Sequence, residues 1–284
     1  MHRLRRRQRT FPYNRQSPFN HSSSTVRILS TTFSVKVCGV RDAATIDTLA
    51  HCGVDAVGLN FFPPSVRFID PTGDAVRAIV RRAAERSVQT VGVFVDQTVD
   101  QTAAIAHDLN LDIVQLHGDQ TVDFARRLRD QFASPILRAI KLPRTDLRAE
   151  LIADATEAWS TVVDGVLLDA DAGPMHGGSG KTLDWDAIGR WNRTTRMRWT
   201  LAGGLTPLNV AEAIVASGAA SVDVAGGVEH PRGVKHADRI AAFATASRLA
   251  FQRRARTIVD RADDSGSPNH PPVPPEKRHR SEHC

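Results

Sequence analysis

Long apolar runs are missing from this sequence: none approaches the roughly 18 residues that a membrane-spanning helix needs, which excludes an integral helical membrane protein. Cysteine is nearly missing too. The three present, Cys38, Cys52 and Cys284, are odd in number, widely spaced and form no CxxC pair, so neither a disulfide framework nor a structural zinc site is expected. A reducing, cytoplasmic setting fits that usage. Residues 1–32 contain no acid and no apolar core of secretory type, so export is not expected. The dinucleotide fingerprint GxGxxG is also lacking, because the first β-rich run leads instead into Cys38-Gly39-Val40-Arg41. Nor is there a P-loop, since Met175 stands where GxxxxGK[ST] requires its first glycine before Gly180-Lys181. What remains is ordinary globular material: 284 residues, 41% hydrophobic and 24% charged, enough for one large domain or two small ones.

The net charge of +6 is unevenly placed. Residues 1–32 carry seven arginines and no acid (+7), and residues 253–284 carry seven Lys or Arg against five Asp or Glu (+2), which leaves the 220 residues between them at −3. A folded part with that balance lacks the basic face that a phosphate backbone demands, so nucleic acid is not an expected partner. Neither end shows apolar periodicity. The first is rich in Arg, Ser and Asn, and the last holds Ser265-Gly266-Ser267-Pro268 and Pro271-Pro272-Val273-Pro274-Pro275. The chain therefore divides into a disordered basic extension (1–32), a folded domain (33–252) and a disordered tail (253–284). The extension shares the Arg- and Ser-rich, acid-free composition of transit peptides, but the simpler reading is a dispensable tail.

Inside the domain eight β-rich runs alternate with helical stretches: 34–38, 56–61, 90–95, 112–117, 136–141, 164–169, 198–202 and 221–225. Helical spacing appears over 42–52, 72–86, 99–109, 120–131 and 207–217, with Asp42, Thr98 and Thr206 at N-cap positions and Pro207 in a first turn. Eight βα units at this length predict a closed (β/α)₈ TIM barrel of the α/β class. Side chains on a strand alternate between faces, so the valines at 35 and 37 turn Lys36 and Cys38 inward, and those at 222 and 224 turn Asp223 and Ala225 inward. Closure makes the eighth strand a neighbour of the first, and a buried Lys36 needs the partner that Asp223 supplies. By the same parity Asn60, His117 and Asp169 face the C-terminal mouth, where barrels of this type keep their active sites.

Cys38 and Asp169 end the first and sixth strands and are the expected catalytic pair, a thiol and a carboxyl across one mouth. A cation such as Lys36 favours the thiolate and makes Cys38 a proton acceptor. Cys52 beside Gly53 reads as packing. Gly203-Gly204 and Gly226-Gly227 follow the last two strands, the loops from which barrels build phosphate sites, so a monophosphate ligand is expected. Arg67 in the second loop has the fork to hold a carboxylate. Arg67, Lys36, His117 and the two glycine pairs are the expected substrate-binding residues. Residues 170–181 read as a lid. No histidine pair stands at metal spacing; His117 orients the mouth, and His51, His107, His230 and His236 read as surface or cap residues.

Taken together, KVCG (36–39), GVFV (92–95), VQLHGD (114–119), LLDA with GGSGKTLDW (167–185), LAGGL with NV (201–210) and VDVAGGVE with GVK (222–235) resemble phosphoribosylanthranilate isomerases of tryptophan biosynthesis, over nearly all of the domain and in family order. The resemblance implies a cofactor-free, metal-free Amadori rearrangement of N-(5-phosphoribosyl)anthranilate. It assigns Asp169, in the LLD motif, as general acid, which must hold its proton in the closed site, and Cys38, in the KxCG motif, as general base. It also assigns Arg67 to the anthranilate carboxylate. The chain departs from the family pattern at Ala225-Gly226, where two serines are usual, at His236, where aspartate is usual, and at Val66, where proline is common. Losing one hydroxyl donor weakens phosphate binding by about 1 kcal/mol.

Two rival readings are weaker. Another phosphosugar barrel, an epimerase or the next synthase of that pathway, needs metal-binding histidines at several strand ends, or a lysine acid with glutamate partners. A catalytically idle binding barrel does not explain both Cys38 and Asp169. A monomer and a homodimer fit the sequence equally.

Overall fold

The computed structural model of the protein describes residues 33–170 and 182–264. Its elements alternate throughout: β1 (Val35–Cys38), α1 (Ala44–His51), β2 (Ala56–Asn60), α2 (Asp74–Arg86), β3 (Gln89–Phe94), α3 (Val99–Asp108), β4 (Ile113–Leu116), α4 (Val122–Gln131), β5 (Ile136–Leu142), α5 (Ala149–Glu157), β6 (Gly165–Ala170), α6 (Trp185–Asn192), β7 (Trp199–Leu201), α7 (Val210–Ser217), β8 (Val222–Val224) and α8 (Ala237–Asp264). All neighbouring strands are parallel, and β8 pairs with β1 to close the barrel, as the alternation predicts.

Strand parity decides what lies inside. Val35, Val37, Val222 and Val224 belong to the large apolar layer between strands and helices. Facing the other way, Ala56, Val91, Ile113 and Leu137 form a separate cluster capped by Phe33, which plugs the N-terminal end of the barrel. Ala139, Leu167 and Ala202 form another. Above and among these apolar residues the interior turns polar. Lys36, Gln115, Thr200 and Asp223 are all buried, and Cys38, Asn60, His117 and Asp169 follow at the mouth. At the N-terminal end, the aspartate just before one strand repeatedly accepts from the first amides of the preceding strand. Asp55 serves Ser34 and Val35, Asp112 serves Thr90, and Asp164 serves Ile136. These contacts pin strand ends far from the mouth and belong to stability.

Thr98 caps α3 in a full capping box with Gln101. Two other expected helix starts shift. Asp42 accepts from the Thr45 amide at 2.8 Å, but the helix proper begins at Ala44. Thr206 and Pro207 form a turn ahead of α7, which begins at Val210, because the Asn209 side chain accepts from the Thr206 amide and holds that turn apart from the helix. The expected tail boundary at residue 252 also needs correction, since α8 continues through residues 253–264. Among the described residues no helix is long and apolar enough to cross a membrane.

His236 precedes α8, and its carbonyl accepts the first helical bond from Ile240, so it occupies the N-cap. Its buried Nδ1 has no partner among the described residues. A carboxylate here would accept from first-turn amides, which have no carbonyl partner within a helix, and meet the positive end of the helix. Replacing His236 by Asp is expected to stabilise the protein by about 0.5–2 kcal/mol, measured as a shift in the urea midpoint.

Candidate active site

Cys38 ends β1 in register with Gly58 of β2, and the missing side chain is what makes room for the thiol: a Cβ at Gly58 would lie 2.7 Å from Sγ. Gly58→Ala is therefore expected to displace Sγ; with Cys38 as the expected base, kcat should fall by roughly ten- to a hundredfold at little-changed KM, the scale of a misplaced reacting group, measured by steady-state kinetics.

Below Cys38, Lys36 Nζ is fully buried and stands 2.9 Å from Asp223 Oδ1, the pairing expected from strand parity. Burial opposes the charge on Lys36, but Asp223 and the Cys38 sulfur outweigh it and raise its pKa, so Lys36 is an ammonium. Its side chain has no exposed surface and is committed to Asp223, so Lys36 lies beneath Cys38 and not in the open mouth. Lys36 does favour the Cys38 thiolate, but burial is the larger effect and, with help from Asp223, pushes the thiol above its ordinary range against the lowering fields of Lys36, Lys235 and Arg67.

Arg67 reaches the same corner. Gly39 has φ +80°, and a Cβ there would strike Arg67 Cδ at 2.4 Å, so the glycine both turns the chain out of β1 and lets the arginine cross it. Arg67 donates through Nε to Glu229 Oε1 at 2.6 Å and through Nη2 to Oε2 at 2.8 Å. Glu229 also accepts from Lys235 Nζ at 2.7 Å and from the Gly233 amide at 2.9 Å. Burial alone raises a carboxyl's pKa, yet these donors bring that of Glu229 down to about 2. Burial lowers the pKa of Lys235, with Glu229 opposing.

Asp169 and His117 face each other at the mouth, His117 Nε2 lying 3.4 Å from Asp169 Oδ2. The Gln115 amide nitrogen is 2.9 Å from His117 Nδ1; an imidazole accepting there carries its proton on Nε2, toward Asp169. Asn60 turns its Oδ1 onto the Phe62 amide and shapes the second loop. Both glycine pairs sit where expected. Gly203 and Gly204 leave β7 with φ +81° and +72°, and Gly226 and Gly227 open a 3₁₀ turn, Gly226–Val228, after β8. The two loops touch, since a Cβ at Gly227 would lie 2.0 Å from the Leu205 carbonyl. Residues 171–181 of the expected lid lie outside the described residues.

Three residues of this site went unassigned in the sequence. Gly58 carried a signal, because glycine inside a strand marks a close approach. Glu229 and Lys235 lay in quoted motifs without a role, being loop residues whose paths no periodicity predicts.

A family model described as N-(5'phosphoribosyl)anthranilate (PRA) isomerase matches residues 35–246. The N-(5'-phosphoribosyl)anthranilate isomerase of Paramagnetospirillum magneticum is 38% identical over 217 residues, 75% of this chain and 96% of that one. Its counterpart in Neisseria meningitidis serogroup B is 36% identical over 218 residues, 76% and 97% of the two chains. The crystal structure of the Thermotoga maritima phosphoribosyl anthranilate isomerase superposes with a TM-score of 0.66 at 31% identity, covering 76% of this chain and 99% of that one. A phosphoribosyl anthranilate isomerase in complex with reduced 1-(o-carboxyphenylamino)-1-deoxyribulose 5-phosphate gives a TM-score of 0.64 at 28% identity, with the same coverage.

Proposed function

The chain belongs to the N-(5'-phosphoribosyl)anthranilate isomerase family, and from that premise we propose that Asp169 and Cys38 are the general acid and general base of its Amadori rearrangement. The enzyme converts N-(5-phosphoribosyl)anthranilate into 1-(2-carboxyphenylamino)-1-deoxyribulose 5-phosphate. Asp169 gives a proton to the ribose ring oxygen as the C1–O bond breaks and the nitrogen lone pair forms the protonated imine. Cys38, as thiolate, then removes the proton on C2, and the electrons of that bond neutralise the imine nitrogen to leave an enolamine. Return of a proton to C1 and loss of the C2 hydroxyl proton complete the ketone. The imine nitrogen is the electron sink, so the chain's own residues need only move protons.

Around this pair, His117 orients the Asp169 carboxyl. Arg67 holds the anthranilate carboxylate, and backbone N–H groups of Gly203-Gly204 and Gly226-Gly227 take the phosphate. Lys36 and Asp223 set the field under the thiol. These described residues all come from one barrel, so a monomer or a homodimer would serve, and free Cys38 and Cys52 suit a cytoplasmic setting.

The observation that carries the reading is a thiol and a carboxyl facing one mouth, on β1 and β6, in a chain of this family. Its test is the decay of anthranilate-type fluorescence after purified protein meets freshly made phosphoribosylanthranilate. Rapid decay is expected, and none would overturn the reading. Arg67→Ala is expected to raise KM by roughly ten- to a hundredfold with kcat little changed, the scale of a lost charge-assisted pair. An unchanged KM would place the carboxylate elsewhere.

A further inference from the structure

We propose that Glu229 is a positioning residue for the reaction, gripping one edge of Arg67 so that the opposite edge stays aimed at the substrate carboxylate. The inference rests on the reading of Arg67 as the carboxylate clamp. A guanidinium has five N–H donors and two edges that match a carboxylate, one through Nε and Nη2, the other through Nη1 and Nη2. Glu229 occupies the first edge, with both contacts under 3 Å. Among the described residues no acceptor meets Nη1, so the second edge is available.

The grip is itself anchored. The Glu229 side chain is 2% exposed, its two oxygens take Lys235 and the Gly233 amide as well as Arg67, and its carbonyl accepts from Arg239 of α8 at 2.6 Å. Lys235 ties back to the Ala225 carbonyl at 3.0 Å, and the Glu229 amide bonds the Gly226 carbonyl at 3.1 Å. The carboxylate thus fastens the clamp on the second loop to Gly233 and Lys235 of the segment after β8, while the bond to the glycine turn is made by the Glu229 backbone and survives a change of its side chain. The charges agree with this role: Arg67 and Lys235 against Glu229 leave one positive charge and Arg239 adds a second, so the corner attracts an anion. A free arginine at this point would lose rotamer entropy on binding, whereas a gripped one has already lost it.

The test compares Glu229→Gln and Arg67→Ala on two substrates, phosphoribosylanthranilate and the carboxylate-free N-(5-phosphoribosyl)aniline. Glu229→Gln is expected to raise KM for the first roughly tenfold, the loss of one charge-assisted hydrogen bond, while changing neither kcat on it nor KM for the second. An equal rise for both substrates would make Glu229 merely structural and overturn the proposal, as would an unchanged KM in Glu229→Gln beside a raised one in Arg67→Ala. An unchanged KM in Arg67→Ala would instead sink the clamp itself. Should Glu229→Gln not fold, ¹⁵N-arginine spectra of the unmutated protein decide. The slowly exchanging Nε–H signal that Arg67→Lys removes is expected to persist when reduced 1-(o-carboxyphenylamino)-1-deoxyribulose 5-phosphate binds. Its loss would show that Arg67 leaves Glu229 for the ligand, and the proposal falls.

Discussion

Asp169→Asn and Cys38→Ala are each expected to lower kcat by about 10²–10⁴-fold, the range of a single general acid or base, with urea midpoints close to that of the unmutated protein. Asp169 is 28% exposed in its side chain and its one side-chain partner among the described residues, His117, is 3.4 Å away, so an amide of the same shape disturbs little. The two variants should fail at different steps. Ring opening needs the acid and C2 deprotonation needs the base, so substrate deuterated at C2 should show an enlarged isotope effect with Cys38→Ala and none with Asp169→Asn. In the double variant the slower step governs, and the combined loss should fall short of the product of the single losses. Burial raises the thiol's pKa, so the reactive thiolate is the minor form at neutral pH. The kcat/KM profile should therefore climb with pH until Cys38 titrates, and that limb should vanish in Cys38→Ala. Normal turnover in either variant would remove that residue from the mechanism.

What was legible in the sequence follows from how local each constraint is. Strand parity is local: once Val35 and Val37 face the helices, Lys36 and Cys38 have no other direction, and the Lys36–Asp223 pair follows from closure. His117 and Asp169 met at the mouth for the same reason. Loop residues obey no such rule. Arg67 and Glu229 stand 162 positions apart, and nothing in the spacing of either predicts that the expected carboxylate clamp holds an internal carboxylate on one edge. The end of α8 was hidden because residues 253–264 look polar and charged, although helical bonds continue through them. Burial balances were also beyond reach: the sign of the Cys38 shift depends on how far desolvation outruns three cations, which only the packed structure decides.

The Lys36–Asp223 pair carries the largest expected effect on stability. Removing one partner of a buried ion pair leaves an uncompensated charge and typically costs about 3–5 kcal/mol. The two orphans are unequal here. Lys36 has no exposed side-chain surface, while Asp223 keeps 9% beside the mouth, so Asp223 left alone draws water and Lys36 left alone does not. Asp223→Asn is therefore expected to cost more than Lys36→Met, read from urea midpoints at equal m. Lys36→Met with Asp223→Leu should recover much of either loss, because apolar pairs of similar volume replace buried ion pairs at little cost. Strictly additive losses in that cycle would show that the pair is not coupled. The pH dependence has a definite sign. Lys36 has a raised pKa in the folded state, so its contribution is complete below the ordinary lysine pKa of 10.5 and fades only as pH climbs past it. The recovered double variant also separates fold from chemistry. It loses the lowering field of Lys36 and the raising field of Asp223 together, so Cys38 is left with Lys235 and Arg67 as its cations. A double variant that folds well but turns over slowly would locate the pair's remaining work at the thiol.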